Sequence, residues 1–204
     1  KPHMIDLIPF VAGSHFPLSI DRRGIIQQGN LAYVMRVQIH QNIGSNNIWV
    51  VCPAKNYDEP CPICEDINLK NSNEIPYESF KDIVIKQRCV YYIICYDSAE
   101  EEKKGLQIFE ASYKFSEKEF KVLGRSTRTN ETIPFSDPDI GASIAFHVGL
   151  DEYKTPYGFH LEKRDYIIDD EILKIARENP LDEFLVIRKY EELKKLYCGK
   201  QNDN

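Results

Sequence analysis

A chain of 204 residues is long enough to bury a full core, as one large domain or as a domain with a small subdomain. Its 42% hydrophobic and 28% charged residues are those of a globular protein, and no apolar run approaches the roughly 18 residues a membrane span requires. The formal charge of −6 lowers the expectation of nucleic-acid binding, but it leaves open whether Lys and Arg cluster on one face while acids gather elsewhere, as in Glu100-Glu101-Glu102 and Asp169-Asp170-Glu171.

The first residues, Lys1-Pro2-His3, read as a remnant ahead of an initiator Met4 and are left out of the fold expectation. No basic stretch followed by a long apolar one marks a secretory signal. Met4 to Phe10 reads as a short strand ended by Pro9, Gly13-Ser14-His15 as a turn with a surface histidine, and Arg22-Arg23-Gly24 as a basic loop. Residues 31–40 alternate: Leu31, Tyr33, Met35, Val37 and Ile39 fall on one face, and Arg36, Gln38 and His40 on the other. A second strand, Asn47 to Cys52, begins just past the turn signal Gly44-Ser45, so His40 and Cys52 are expected to meet at one end of a hairpin.

Cys52-Pro-Ala-Lys-Asn-Tyr-Asp-Glu-Pro-Cys61-Pro-Ile-Cys64 places three thiols within thirteen residues. Tetrahedral zinc takes four soft or borderline ligands, and His40 supplies the one that the thiols lack. His40, Cys52, Cys61 and Cys64 are therefore the expected ligands of one structural Zn2+, closed from a knuckle that leads into a helix over Glu65 to Lys70. Four protein ligands leave no position for water, so no catalysis is expected at the metal. Cys89, Cys95 and Cys198 are expected as reduced thiols of an untargeted chain in a reducing compartment, the cytoplasm.

Lys81 to Tyr96 gives the longest strand signal. Alternation puts Lys86, Arg88, Val90 and Tyr92 on one face, a basic-aromatic platform, and Ile83, Ile85, Cys89, Tyr91 and Ile93 on the other. Asp97 to Gly105 reads as an acidic hairpin loop and Leu106 to Phe115 as the return strand. Ser116 and Glu119 form a capping-box pattern ahead of a short helix. A polar loop with Arg125 and Arg128 follows, then a strand over Gly141 to Leu150 and a turn with Tyr153, Lys154, Tyr157 and Phe159. His147 is expected as a structural histidine within that strand. Two helices close the chain, Asp170 to Ala176 and Leu181 to Leu196, separated by Asn179-Pro180. The sum is a mainly β chain with C-terminal helices, compatible with an OB-fold barrel carrying an inserted zinc-binding subdomain. The barrel falls at about 4–40 and 80–168, the zinc subdomain at about 40–80, and the helices at about 169–197.

His40, Cys52 and Cys61-Pro-Ile-Cys64, with Tyr57 inside the loop, resemble the zinc subdomain of the T-even-type bacteriophage single-stranded-DNA-binding proteins, the helix-destabilising replication proteins. Lys86-Gln-Arg88 followed by Tyr91-Tyr92 resembles the basic-aromatic strand of that family. Phe109, Tyr113-Lys-Phe115, a short helix and the closing segment Leu181 to Leu196 continue the likeness in the same order. The resemblance runs from about Met4 to about Leu196, and the zinc motif is its specific part. It implies sequence-independent binding of single-stranded DNA in replication, recombination and repair, within the host cytoplasm and beside replication and recombination proteins. No enzymatic activity is implied. The sequence shows no counterpart to the family's basic N-terminal arm or acidic C-terminal tail, so nothing is carried over for cooperative self-association along DNA.

In such proteins bases stack on aromatic rings while Lys and Arg neutralise phosphates. The expected stacking residues are Tyr57, Tyr91, Tyr92, Tyr113 and Tyr157, with only one of Tyr91 and Tyr92 able to face the strand. The expected phosphate contacts are Lys86, Arg88, Arg125, Arg128 and Lys154. Two rivals come from other classes. A zinc-ribbon protein-interaction module would share the knuckle without binding DNA. A zinc nucleobase deaminase would share Pro60-Cys61-Pro-Ile-Cys64, but no upstream His-x-Glu accompanies it: His160-Leu-Glu162 has those letters in the wrong order.

Overall fold

The computed structural model describes residues 2–18, 20–21, 24–150 and 155–199. In chain order the strands are β1 (His3–Ile8), β2 (Phe10–Val11), β3 (Ile20–Asp21), β4 (Gly24–Ile25), β5 (Leu31–Ala32), β6 (Met35–Ile43), β7 (Ile48–Val51), β8 (Lys86–Cys95), β9 (Gln107–Ser112), β10 (Ala142–Val148) and β11 (Pro156–Lys163). The helices are α1 (Pro53–Tyr57), α2 (Pro62–Ser72), α3 (Ala99–Lys103), α4 (Glu117–Leu123), α5 (Asp170–Glu178) and α6 (Tyr190–Cys198). No described helix is long and apolar enough to cross a membrane.

The chain divides into two compact units. One comprises Lys1–Phe16, Ile26–Arg36 and Cys89–Glu183; the other Pro17–Ile25, Val37–Arg88 and Phe184–Asn204. The two terminal helices are thereby separated, α5 into the first unit and α6 into the second.

The first unit holds an antiparallel sheet in the order β11-β10-β1-β8, and β9 pairs with β8. Among the described residues these pairings run as an open path and do not close into a barrel. His3 belongs to this sheet, pairing with Phe146, so the strand begins earlier than the sequence suggested. Ile5, Leu7, Cys89, Tyr91, Ile93, Ile144 and Phe146 form the core with Phe120 of α4 and Phe135. At Tyr91 and Tyr92 the strand β8 is covered on both faces. Tyr91 packs on Phe120 and Phe109 on one side, while Tyr92 meets Phe10 edge-on and donates its hydroxyl to the Asn179 carbonyl, 2.7 Å away, on the other. Beneath α4 the buried Glu117 accepts hydrogen bonds from Tyr33 (2.8 Å) and Tyr91 (3.3 Å). Burial, its largest influence, raises the Glu117 carboxyl above its ordinary range against the pull of Tyr33, Lys121 and Arg36. Ser116 precedes α4 but does not cap it, because its hydroxyl donates back to the Ser112 carbonyl instead (2.9 Å). The acidic loop after β8 winds into α3, since Ser98 accepts from Glu101 N–H and three glutamates favour a helix N-terminus.

The second unit is built on the β6–β7 hairpin, with His40 opposite Val50 and Ile39 opposite Val51. Gly44 and Asn47 have positive φ in its turn, and Asn42 has positive φ where the register of β6 shifts between His40 and Ile43. Gly44 is favoured for a second reason: a Cβ there would lie 2.9 Å from the Leu196 side chain of α6, which would have to shift. The core comprises Ile43, Val50, Cys52, Cys61, Ile63 and Leu193. Helix α6 is fastened to α2 by hydroxyls, Tyr190 to Glu65 (2.6 Å) and Tyr197 to Asp66. Two sequence expectations are corrected here. β8 starts at Lys86 rather than Lys81, because residues 77–84 form a 3₁₀ turn and bends. The helix expected over Leu181 to Leu196 breaks into a 3₁₀ turn, Leu181–Phe184, and α6; the intervening Leu185-Val186-Ile187 is a poor helix former with adjacent β-branched residues.

Candidate metal centre

The hairpin and the two helices that follow it build the site. His40, Val50 and Cys52 share one face of the hairpin by the strand period of two, and Trp49 faces the opposite way. Cys52 and Cys61 are the N-cap residues of α1 and α2, each followed by a proline at the first helical position and neither making a side-chain cap hydrogen bond. Cys64 lies in the first turn of α2. The chain thus turns into a helix twice at a Cys-Pro step, and each step aims a sulfur inward.

The Nε2 of His40 and the three Sγ atoms all lie within 4.8 Å of one another. A tetrahedral centre with metal–sulfur bonds of about 2.3 Å and a metal–nitrogen bond of about 2.0 Å has sulfur–sulfur edges of roughly 3.8 Å and nitrogen–sulfur edges of roughly 3.5 Å. The contacts here are Cys52 Sγ to Cys64 Sγ, 3.5 Å, and His40 Nε2 to Cys61 Sγ, 3.6 Å, and to Cys64 Sγ, 3.4 Å. The donor set therefore has the dimensions of a four-coordinate metal centre. His40, Cys52 and Cys61 are buried and Cys64 is half-buried.

The thiols and the imidazole distort one another's titration. Cys61 is pushed down, chiefly by its hydrogen bond with Cys52, while Cys64 is pushed up, again chiefly through Cys52. Burial, the largest influence on His40, disfavours its charge, but hydrogen bonds to Cys52, Cys61 and the Ile83 carbonyl raise it to about 9. A divalent metal would displace the protons that these donors carry and let all three thiols ionise.

Asn56 is a supporting residue with no counterpart among the sequence expectations. Fully buried, it donates to the carbonyls of Gln38 and Cys52, both at 2.7 Å, and accepts from the Gln38 N–H at 2.9 Å. It thereby fixes α1 against β6. Trp49 also carries no sequence expectation, although its alternation with the buried Val50 is a legible signal. Its side chain is 51% exposed and the Arg88 guanidinium lies over its ring, 5.1 Å from the centroid.

The expected DNA-binding residues are scattered in their settings. Lys86 is exposed, and Arg88 and Tyr57 are half-buried, all in the second unit. Tyr91 and Tyr92 are corrected: at 0% and 4% exposure both rings lie in the core, because β8 is covered on both faces at these two positions. Tyr113 is half-buried against the first unit's core, with Lys121 over its ring. Arg125 and Arg128 are exposed on a turn closed by Ser126 N–H to the Glu131 carbonyl, 2.9 Å. Tyr157 is exposed and stacks on His147. Lys154, with Tyr153 of the same turn, and the basic pair Arg22-Arg23 lie outside the described residues. No protein-family model matches this sequence and no curated protein matches it, so the case for the metal centre is geometric.

Proposed function

We propose that the chain binds single-stranded DNA with little sequence preference, and that one zinc ion serves it as a structural cross-link. The observation that carries this reading is the Cys₃His tetrahedron set on a hairpin whose outer face presents an aromatic ring beneath a guanidinium. Thiolate-rich four-coordination favours zinc over harder cations and leaves no open position for a catalytic water, so the protein is read as a binding protein and not an enzyme. Lys86 and Arg88, two residues apart on one face of β8, and the exposed Arg125, Arg128 and Tyr157 supply phosphate and stacking contacts. The five strands of the first unit are read as an open OB-type arrangement, in keeping with the likeness to the phage helix-destabilising proteins. Binding only the single strand would melt transient duplex by mass action during replication, recombination and repair.

Fluorescence anisotropy of a labelled oligo-dT at two salt concentrations, with a duplex of equal length as control, tests the reading. Single-strand binding that weakens steeply with salt is expected. No binding at low salt rejects it. The second reading, a zinc-stabilised protein-docking module, is favoured by one observation, the burial of Tyr91 and Tyr92; it predicts no oligonucleotide binding at any salt.

A further inference from the structure

The second unit carries a surface feature, the exposed Trp49, that its own packing leaves unexplained. Trp49 sits on β7 with its neighbour Val50 buried at 4% exposure, yet the indole itself is 51% exposed. A tryptophan has the largest apolar surface of any side chain, and leaving half of it in water forgoes burial that the adjacent core could have supplied. What touches it is a cation: Arg88 lies over the ring at 5.1 Å. Arg88 and Lys86 share a face of β8, so a second positive charge follows two residues along the same strand. A flat ring and two cations in line are the parts that hold one nucleotide of an unpaired strand, the base on the ring and its phosphates on the cations.

From this we infer that Trp49, braced by Arg88, is the stacking platform for a base of single-stranded nucleic acid, with Lys86 at the neighbouring phosphate. The inference rests on the single-strand reading above and deepens it by moving the principal aromatic contact from the tyrosines of β8 to the outer face of the metal-bound hairpin. The platform's rigidity comes from that metal site. Val50 is opposite the candidate ligand His40, and Cys52, three residues beyond Trp49, is itself a candidate ligand, so the strand is tied to the site immediately after the indole. A rigid ring loses little conformational freedom when a base stacks on it.

Trp49 is the only tryptophan of the chain, so intrinsic fluorescence reports on it alone. The experiment titrates the zinc-loaded full chain with oligo-dT and with an abasic oligomer of equal length, reading tryptophan emission and, in parallel, anisotropy of the labelled oligomers. Oligo-dT is expected to quench Trp49 and the abasic strand to leave it nearly unchanged. Trp49→Ala is expected to weaken oligo-dT binding by about 5-fold to 150-fold, with Trp49→Phe retaining most of the affinity. Lys86→Gln is expected to lower the salt slope by about one. Zinc content and circular dichroism of each variant establish that it is folded. Binding with unchanged Trp49 emission, or unchanged affinity in Trp49→Ala, overturns the platform while the single-strand reading stands. Absence of binding by anisotropy overturns both.

Discussion

The Nδ1 of His40 lies 2.7 Å from the carbonyl oxygen of Ile83. A carbonyl can only accept, so Nδ1 carries the proton and Nε2 turns its lone pair toward the three thiols. The backbone of a segment 43 residues away thus selects the tautomer with which His40 would bind a metal.

His40→Ala should therefore weaken metal binding by more than about 100-fold, since losing even an outer partner of a ligating histidine costs roughly 10–100-fold. His40→Cys, which keeps four-coordination, should retain much of the affinity. Competition against a chromophoric chelator measures both. If the alanine variant held metal as tightly as the parent, His40 would not be a ligand.

Asn56→Ala leaves the Gln38 N–H and the carbonyls of Gln38 and Cys52 without their side-chain partners. A loss of about 1–2 kcal/mol is expected, since both carbonyls keep a backbone donor, Cys52 N–H and Asn56 N–H, and only their side-chain partner is lost. Urea unfolding of the metal-loaded chain followed by Trp49 emission would give the value, and a midpoint within error of the parent would contradict the role assigned to Asn56.

Glu117 sets a pH dependence in the first unit. The folded chain holds the Glu117 proton more tightly than the unfolded chain does, so the stabilisation from that proton is complete below the ordinary glutamate value of 4.5 and is lost as pH rises through the raised value. Glu117→Gln keeps the shape and one acceptor but does not titrate. The variant should gain on the parent as pH rises from acid to neutral, because only the parent loses the stabilisation of a bound proton. Parallel denaturant unfolding at several pH values decides it; a constant difference between the two proteins would show that Glu117 does not carry the effect.

Chelation with verified metal loss should shift Trp49 emission and lower its steady-state anisotropy, because both strand positions that hold it are tied to ligands. Oligonucleotide affinity should fall with it. An emission spectrum and an affinity that ignore the metal would separate the hairpin from the ion.

The parts legible in the sequence were those that local rules govern. His40, a turn and Cys52 form a hairpin by spacing alone, and Cys61 and Cys64 lie within one helical turn, so the quartet could be assembled without knowing what surrounds it. The placement of Tyr91 and Tyr92 could not be read the same way. Alternation correctly sends them to opposite faces of β8, but whether a face is covered depends on α4 and α5, which come tens of residues later. Ser116 looked like a cap because the pattern is local; its backbone is not in the extended conformation of a capping residue, and its hydroxyl donates to the Ser112 carbonyl. Asn56 gave no signal, since its partners lie across the hairpin and an asparagine beside a helix end is commonplace.

Two helices of the second unit start at thiols that make no side-chain cap hydrogen bond, and both prolines that follow have already removed an N–H from the first turn. In place of a capping hydroxyl, each helix start carries a sulfur that a shared ion would anchor. Loss of the ion would release both starts at once, exposing the 52–72 segment to proteases as a single event and not by gradual fraying. The lifetime of the chain in a cell would then track metal supply: a metal-starved pool would be cleared by digestion within this segment, and a pulse-chase at graded zinc would register the shortage as a fall in protein level.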